Sequence, residues 1–568
     1  MVVGRQERSQ AISSASGFPN RFGWRALLSP LLFLVIPILF VLAVAQLTKA
    51  KGPQWLPYSF ENPYTYLFNS LLVVDGRPPV YIDHPGTTTE MFGGVVLRTM
   101  SLKSSGDLIN SALHHPETQI KELHWALLIF VALILWIVPW LTALALRSYV
   151  VGLLIQAPSL FSQTLLFYGI LFGSDLMVVP FSIATVCCCL LLLFPSSVPE
   201  KFELLFGIRF PSPTQNSPRL LRLPVLLLPA LTGLVCALGM ATKLTFFPLI
   251  LVSLLCCRSR KNLLAFAAAF IFGLALALLP IYSQLWRLVN WAFDLGIHSG
   301  RYNTGAIGLP QASVYLPSLL NLVQLEPLIV IIPGVATIVL LAFSLFSKKR
   351  PSANKISWQI VLALFAIQLI SLAVIAKEIG SHYLIPLFIT TGLNLVFLFQ
   401  ACRSIDGSRL RKIIGWITLV GLLGIGVKSF VEDTPESCTD LRDKKVDLLR
   451  LYRHAKEITK NDVRIDYFFS DSPEYPLCYA NDRAGGAFGQ LLESMYPNAL
   501  FFDVFNAKFQ TFTKFLEPEV ELQKYDHLYF LGSRKTFPKA NALDPDTFET
   551  IDQTRDYYLQ KWTRKVSP

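Results

Sequence analysis

The sequence predicts an α-helical polytopic membrane protein of about 11 spans that carries a C-terminal extracytoplasmic α/β domain. Three observations predict this fold class. The 568 residues are 53% hydrophobic with a mean hydropathy of +0.48, which is too apolar for a soluble protein of this length. The apolar residues form runs of about 20, long enough to cross the hydrocarbon layer as helices. After residue 428 the charge rises and the long apolar runs end.

Eleven apolar runs are the candidate spans. The sixth is short, and the fifth is open to interpretation as a tilted or re-entrant segment. In order, the runs are 25–47, 124–146, 149–170, 176–194, 223–241, 245–257, 262–284, 327–347, 357–376, 383–401 and 412–428.

Basic clusters set the predicted orientation, because short cytoplasmic loops carry an excess of Lys and Arg. The clusters lie within 5–25, 201–222, 258–261, 348–355 and 403–412. With eleven spans all of them fall on the N-terminal side of the cell membrane. Residues 1–24 are therefore a cytoplasmic tail, and 48–123, 285–326 and 429–568 lie outside. The formal charge of +12 then reflects topology and contact with anionic membrane lipid, without a nucleic-acid partner.

The segment 429–568 is predicted to be a small α/β domain on the outer face. Outside the spans the sequence holds two cysteines, Cys438 and Cys478, and an oxidising compartment favours their pairing as a disulfide. The cysteines within the spans are typical of small apolar packing residues. The predicted helices are 439–460, 485–496 and 546–563, and the predicted strands are 463–469, 500–505 and 527–531.

The stretch from Glu61 to Gly94 is the most promising place for chemistry, because it is polar, turn-rich and lies between the first two long apolar runs. A short helix is expected to begin at Asn62-Pro63 and to lay one apolar face along the membrane surface. Glu61 precedes this helix and Asp83, beside His84, follows its turn. Folding of the loop would bring both carboxylates into one site, with Asp75 as a weaker third candidate.

Further polar residues lie at the outer mouths of the spans, where an ionisable group is costly unless it is paired. Asp175 is either a helix cap or a functional acid, and Lys243 is either a snorkelling lysine or a partner for a phosphate. The glycine-rich loop with His298 and Arg301 suits a phosphate, although ordinary surface turns have the same composition. Lys377 either pairs locally or adds positive charge to the same cavity.

The order of these residues resembles the GT-C superfamily of integral-membrane glycosyltransferases, which includes protein O-mannosyltransferases and lipid A aminoarabinose transferases. The resemblance covers about residues 25–430, so 25–428 is expected to be a GT-C-like transmembrane domain. Segment 466–497 is similar to the outer domains of uncharacterised bacterial members. The matching segments are Tyr81-Ile82-Asp83-His84-Pro85 (aromatic-x-acid-x-Pro), Ser174-Asp175 (the acid before the fourth span), Gly239-Met240-Ala241-Thr242-Lys243 (Gly…Thr-Lys) and His382-Tyr383-Leu384-Ile385-Pro386 (His-Tyr-x-x-Pro).

The resemblance implies transfer of a sugar from a polyprenyl-phosphate donor to a glycan, lipid or protein acceptor on the outer face, with inversion. Glu61 or Asp83 would then act as the base. Because the family's Asp-Glu pair is Glu61-Asn62 here, the choice of base stays open. A divalent cation held partly by Asp83 or Asp175 would fit, but no ligand spacing requires one. The candidates for contacting the donor phosphate are His84, Lys243, Arg301, Lys377 and His382.

Two other functions remain compatible with the sequence. A polytopic transporter or lipid flippase would also place charged groups among many spans, but it predicts paired repeats and charges at mid-membrane depth. A non-catalytic envelope assembly protein of the same fold is compatible with the substitution of the Asp-Glu pair.

Overall fold

The computed structural model describes most of the chain. The described residues are 23–56, 63–83, 85–101, 103–194, 223–300, 305–308, 310–345, 358–378, 380–404, 409–459, 462–466, 472–503, 506–534 and 548–564.

Helices predominate among the described residues up to residue 458. Short helical segments between the long ones include three of the 3₁₀ type, Leu244–Phe246, Leu279–Gln284 and Ser381–Leu384. The α-helices are Gly23–Lys51, Pro63–Val74, Thr87–Met100, Ser105–His114, Pro116–Ala145, Tyr149–Gln156, Pro158–Phe161, Gln163–Tyr168, Ser174–Leu193, Leu223–Thr242, Phe247–Cys256, Arg260–Leu278, Leu285–Ile297, Ala312–Leu325, Leu328–Leu345, Trp358–Ala376, Ile385–Ile389, Thr391–Ser404 and Arg409–Ile458.

The protein is a polytopic helical membrane protein. Within the described ranges, seven helices are long and apolar enough to span a membrane, or eight if one bent pair counts as a span. The predicted run 149–170 is divided into three short helices. Pro158 begins the second of them, and the Ser162 hydroxyl caps the third by accepting a hydrogen bond of 3.0 Å from the Leu165 amide. In their described residues the eleven predicted runs are therefore mainly helical, but not all of them are full-length spans.

The helical structure is interrupted at Lys243, between the apolar helix Leu223–Thr242 and the short 3₁₀ turn that begins at Leu244. The next helix, Phe247–Cys256, has ten residues and so is about 15 Å long, half the thickness of the hydrocarbon layer. The predicted shortness of the sixth run is thus confirmed. Lys243 itself has extended backbone angles and a fully buried side chain.

The segment 48–123, which the sequence predicts to be the first outer loop and which keeps that name below, contains a helix that is packed inside the protein. Helix Pro63–Val74 has eleven buried residues among its twelve, and it packs against Thr87–Met100 and against the C-terminal helix Tyr475–Arg483. The expected helix is present, but the expectation that it lies along the membrane surface is wrong. The helix is buried all round because other helices and the C-terminal domain pack against it from different sides.

One helix of 50 residues, Arg409–Ile458, connects the membrane part to the C-terminal domain. At 1.5 Å per residue it is about 75 Å long. The sequence predicts a span that ends at 428 and a separate helix from 439, whereas the structure joins them without a break at Pro435. The domain boundary at 428–429 therefore falls inside a continuous helix.

Within the described residues, the C-terminal domain is built on a mixed sheet of seven strands. The strands are β1 Arg464–Asp466, β2 Leu500–Asp503, β3 Lys508–Gln510, β4 Phe515–Leu516, β5 His527–Ser533, β6 Phe548–Gln553 and β7 Tyr557–Thr563, with helices Tyr475–Arg483, Gly489–Met495 and Pro518–Leu522. Their order in the sheet is β4-β3-β2-β1-β5-β7-β6. The three central strands β2, β1 and β5 are parallel, and the strands at both edges are antiparallel. The predicted central strands are confirmed.

Two predictions for this domain are wrong. The expected helix at 546–563 is the hairpin of β6 and β7, in which β-branched and aromatic side chains such as Thr550, Tyr557 and Trp562 favour strands. Cys438 and Cys478 are both free thiols. Cys438 lies on the long helix, whereas Cys478 is buried under the sheet and its sulfur contacts the Thr511 carbonyl oxygen at 3.8 Å.

The membrane helices, the first outer loop and one face of the C-terminal domain share a single apolar core. Residues as far apart in sequence as Phe40, Tyr64 and Tyr475 belong to it. The opposite face of the sheet has its own smaller core. The first outer loop is thus held between two structural layers, which fixes the position of its polar residues.

Candidate functional site

The segment Arg77–Asp83, which we call the strap, lies between helices Pro63–Val74 and Thr87–Met100 and carries the candidate acid Asp83. It is held from two sides. The Asn69 side-chain oxygen accepts hydrogen bonds from the amides of Val80 and Tyr81 at 2.8 and 3.0 Å. From the other side, the Gln284 amide donates to the Pro79 carbonyl at 2.6 Å. The backbone that carries Asp83 is therefore well defined.

Asp83 is joined to the C-terminal domain by an ion pair. Its Oδ2 lies 2.8 Å from Nη1 of Arg483, the last residue of helix Tyr475–Arg483. The guanidinium group also lies 5.7 Å from the Tyr81 ring centre and 5.3 Å from that of Tyr479. Both partners are about one-third exposed, at 32% and 40%. The C-terminal domain thus fixes the orientation of the candidate base.

A second ion pair is buried at the start of helix Ser174–Leu193, beside the helix break at Lys243 and the 3₁₀ segment Ser381–Leu384. The Lys243 Nζ lies 2.7 Å from Oδ1 of Asp175, which is in the first turn of helix Ser174–Leu193. The side chains are 0% and 5% exposed. The ammonium group also lies 5.0 Å from the ring centre of Tyr383. Asp175 and Lys243, 68 residues apart, were each expected at an outer mouth, and the structure pairs them.

Hydrogen bonds connect helices Pro63–Val74 and Thr87–Met100 to the residues next to this ion pair. The Tyr66 hydroxyl donates to Ser174 Oγ at 2.9 Å, next to Asp175. On the other side, Thr88 and Thr242 share a hydroxyl hydrogen bond of 2.6 Å, next to Lys243. The ion pair and these four hydroxyl-bearing residues therefore form one structural unit, which we call the Lys243 site.

The strap is connected to the Lys243 site through aromatic rings. The Tyr66 and Tyr81 rings meet edge to face with their centres 5.8 Å apart. His382 lies beside the same site, with ring centres 4.0 Å from Tyr383 and 4.8 Å from Tyr168. A continuous set of contacts thus runs from the Asp83–Arg483 pair to the Asp175–Lys243 pair.

Glu90 is a buried acid in this region that the sequence analysis missed. It is 0% exposed, and neither of its carboxyl oxygens has a hydrogen-bond partner among the residues that the structure describes. Burial raises the pKa of Glu90 well above its usual range. It shares a buried helix face with Thr87, whose hydroxyl donates to the Ala241 carbonyl, and with Gly93, which packs against Ser70. An acid in a first helical turn is typical of favourable interaction with the helix dipole, so the sequence gives little reason to single it out.

Two other predicted residues lie apart from the Lys243 site. Lys377 donates a hydrogen bond to the Leu295 carbonyl and lines a cavity of about 200 Å³ with Ser299 and Gly300. His298 hydrogen-bonds through Nδ1 to the Gly305 carbonyl at 2.8 Å, which stabilises its own turn. The weaker candidate Asp75 forms an exposed pair with Arg77.

Three predicted site residues, Glu61, His84 and Arg301, lie outside the described residues. In the part of the chain that the structure does describe, no group of three or more His, Cys, Asp or Glu side chains is arranged to hold a metal ion. The described acids Asp83 and Asp175 each contact a basic side chain.

No protein-family model matches the chain, and no curated protein is significantly similar to it. The resemblance to the GT-C superfamily therefore depends on the segments quoted above and on their order in the sequence.

Proposed function

We propose that this protein is a membrane glycosyltransferase that moves a sugar from a polyprenyl-phosphate donor to an acceptor on the outer face of the membrane. The observation that carries the proposal is the buried Asp175–Lys243 pair beneath the first outer loop. Burial of a cation is expensive even when it is paired, so a function that needs the cation at this place explains its presence. The same loop carries Asp83, and the rings of Tyr81 and Tyr66 connect the Asp83–Arg483 pair to the Lys243 site.

In the proposed reaction the acceptor hydroxyl attacks the anomeric carbon of the donor sugar. A new bond forms between that carbon and the acceptor oxygen, while the bond to the lipid-phosphate oxygen breaks with its electron pair remaining on the phosphate. The acceptor proton passes to a carboxylate, for which Asp83 and Glu61 are the candidates. Attack from the face opposite the phosphate inverts the anomeric carbon.

Lys243 would stabilise the negative charge of the departing lipid phosphate. Asp175 fixes the ammonium group at 2.7 Å and so acts as its positioning residue. His382, packed beside Tyr383 at the same site, is a second candidate for a contact with the phosphate. The donor sugar and the acceptor would reach the site from the outer side, where the strap and the C-terminal domain lie in the proposed orientation.

The experiment that tests the proposal is a mass-spectrometric comparison of glycolipids and envelope glycans from cells with and without the gene. We expect loss of one sugar from one class of acceptor, together with accumulation of its polyprenyl-phosphate donor. Restoration by the wild-type gene and not by the double variant Asp175→Asn with Lys243→Met, expressed at an equal level in the membrane, would connect the lost sugar to this site. Unchanged glycans and glycolipids in the deleted strain would contradict the proposal.

A transporter or flippase is the second candidate, and one observation favours it. The helices that begin at Ala312 and Leu328 are bent by 82° at a break that contains buried Glu326. The Glu326 carboxylate accepts hydrogen bonds from the Ser162 hydroxyl at 2.9 Å and from the Thr164 amide at 2.6 Å. Broken helices around polar groups are typical of transporters. A transporter would leave the donor lipid chemically unchanged in detergent solution, whereas a transferase would release polyprenyl phosphate.

A further inference from the structure

A groove separates the end of the first long helix, Gly23–Lys51, from the long helix Arg409–Ile458. Its volume is about 640 Å³, which lies in the roughly 300–1,000 Å³ range of small-molecule sites. Three cationic side chains line it, one from the first helix and two from the long helix. The residues that line the groove include Gln46, Lys49, Pro435, Arg442 and Lys445.

The three cations have no acidic partner in the described ranges of the chain, where no carboxylate lies within 4 Å of Lys49, Arg442 or Lys445. Arg442 and Lys445 are three residues apart on one helix, a spacing that places like charges side by side and destabilises the helix slightly. The neighbouring Lys444, in contrast, points elsewhere and pairs with Asp440 at 2.7 Å. Positive charge is thus concentrated on the side of the helix that faces the groove.

The two helices approach closely at the groove. The first helix is followed by Gly52, which has φ +86° and continues the chain in the left-handed conformation. The Lys445 side chain packs against this glycine, so that a Cβ atom at Gly52 would lie 2.8 Å from Lys445 Cε. The ammonium group reaches the Lys49 carbonyl at 3.5 Å. Lys49 complements the helix dipole at the end of its own helix, but this explanation does not apply to Arg442 and Lys445 in the interior of theirs.

The groove lies at the level expected for lipid head groups. On the first helix, Gln46 follows the exposed apolar Leu42 by four residues, or about 6 Å. The polar layer on each side of a bilayer is about 5–8 Å thick. On the long helix, the exposed charged residues Lys428 and Glu432 precede Pro435 by about 10 and 5 Å, so this helix has left the hydrocarbon layer before the groove begins. The groove therefore begins within the polar layer on the first helix and just beyond the hydrocarbon edge on the long helix.

We propose that this groove binds the phosphate group of an anionic membrane lipid. An arginine fork and two lysines suit a phosphate anion, and the bound anion would relieve the repulsion among the three cations. The site is independent of the Lys243 site and does not depend on the proposed transferase activity. A free phosphate would be recognised by the same chemistry, so the test must separate these two sources.

The test uses full-length protein in nanodiscs of phosphatidylcholine doped with phosphatidylglycerol, with the retained lipid quantified by native mass spectrometry. The variant is Lys49→Gln with Arg442→Gln and Lys445→Gln. We expect it to retain phosphatidylglycerol roughly 100-fold more weakly, because each cation near an anionic lipid contributes about a factor of five. The matched control is Lys444→Gln, on the same helix, which should retain the lipid like the wild type.

Inorganic phosphate forms the second arm of the test. If the site recognises a lipid, millimolar phosphate leaves phosphatidylglycerol bound to the wild type. Displacement of the lipid by inorganic phosphate would overturn the lipid assignment in favour of a free anion. Equal lipid retention by the triple variant and the wild type, or an equal loss in Lys444→Gln, would overturn the site itself. Size-exclusion profiles and melting temperatures of all variants verify folding, and Arg442→Gln alone provides a milder variant if the triple variant unfolds.

Discussion

Removal of the charges of Asp175 and Lys243, singly and together, distinguishes a structural ion pair from a functional one. The contact of 2.7 Å is inside the protein, with side chains that are at most 5% exposed. Lys243→Met leaves Asp175 as an uncompensated buried charge, and Asp175→Asn does the same to Lys243. Loss of one partner of such a pair costs about 3–5 kcal/mol. The double variant removes both charges, and replacement of a buried pair by uncharged residues of similar size is often close to neutral.

We therefore expect the two single variants to melt at clearly lower temperatures than the wild type, and the double variant to recover most of the loss. Tryptophan fluorescence during heating in detergent measures this order. Turnover of the donor by the folded double variant should be lower by about 10²–10³-fold, the scale for loss of a transition-state electrostatic contact. A folded double variant with wild-type turnover would refute a role of Lys243 in catalysis. Single variants as stable as the wild type would refute the buried ion pair.

Three further predictions concern the strap, the buried acid and the orientation. Asp83→Asn should lower turnover by about 10²-fold if Asp83 is the base. Arg483→Gln should cause a smaller loss of turnover. It should change the melting temperature little, because a partly exposed ion pair contributes only about 0.2–1 kcal/mol to the free energy of unfolding. Arg77→Gln is the strap control, and an equal loss in that variant would contradict the assignment. Because burial raises the pKa of Glu90 above the value near 4.5 of an exposed acid, the unfolded chain loses this proton first as the pH rises, and the fold becomes less stable from that pH upward. The stability advantage of Glu90→Gln should therefore grow between pH 4.5 and neutral pH in thermal melts, whereas an advantage independent of pH would contradict the buried ionisable state. A membrane-impermeant maleimide should label the half-buried free thiol Cys438 from outside intact cells; labelling only after lysis would reverse the proposed orientation.

Hydropathy predicted the helices of the membrane part because each apolar run is long and nearly uncharged. It also placed the break at Lys243, between the runs 223–241 and 245–257. It did not predict the division of the run 149–170 at Pro158, which depends on local capping within an otherwise uniform apolar run. The continuity of the long helix through Pro435 was also missed, because a change of composition at 428 does not require a change of secondary structure.

The sequence identified Asp175 and Lys243 individually, as polar residues at the ends of apolar runs. It gave no indication that they pair, because 68 residues separate them and pairing depends on the packing of helices from different parts of the chain. The partnership of Asp83 with Arg483 joins residues 400 positions apart. Glu90 was missed because its carboxylate resembles an ordinary first-turn acid until the surrounding helices bury it.

The most direct test of the proposed transferase activity is the fate of the donor lipid with purified protein in detergent solution, where no compartments exist. Wild-type protein is incubated with a panel of polyprenyl-phosphate sugars and extracted envelope acceptors, and the lipid products are identified by mass spectrometry. We predict release of polyprenyl phosphate together with a glycosylated acceptor of inverted anomeric configuration, and loss of both products in the folded double variant of Asp175 and Lys243. Intact donor in every incubation, with protein that is folded and monodisperse, would contradict it.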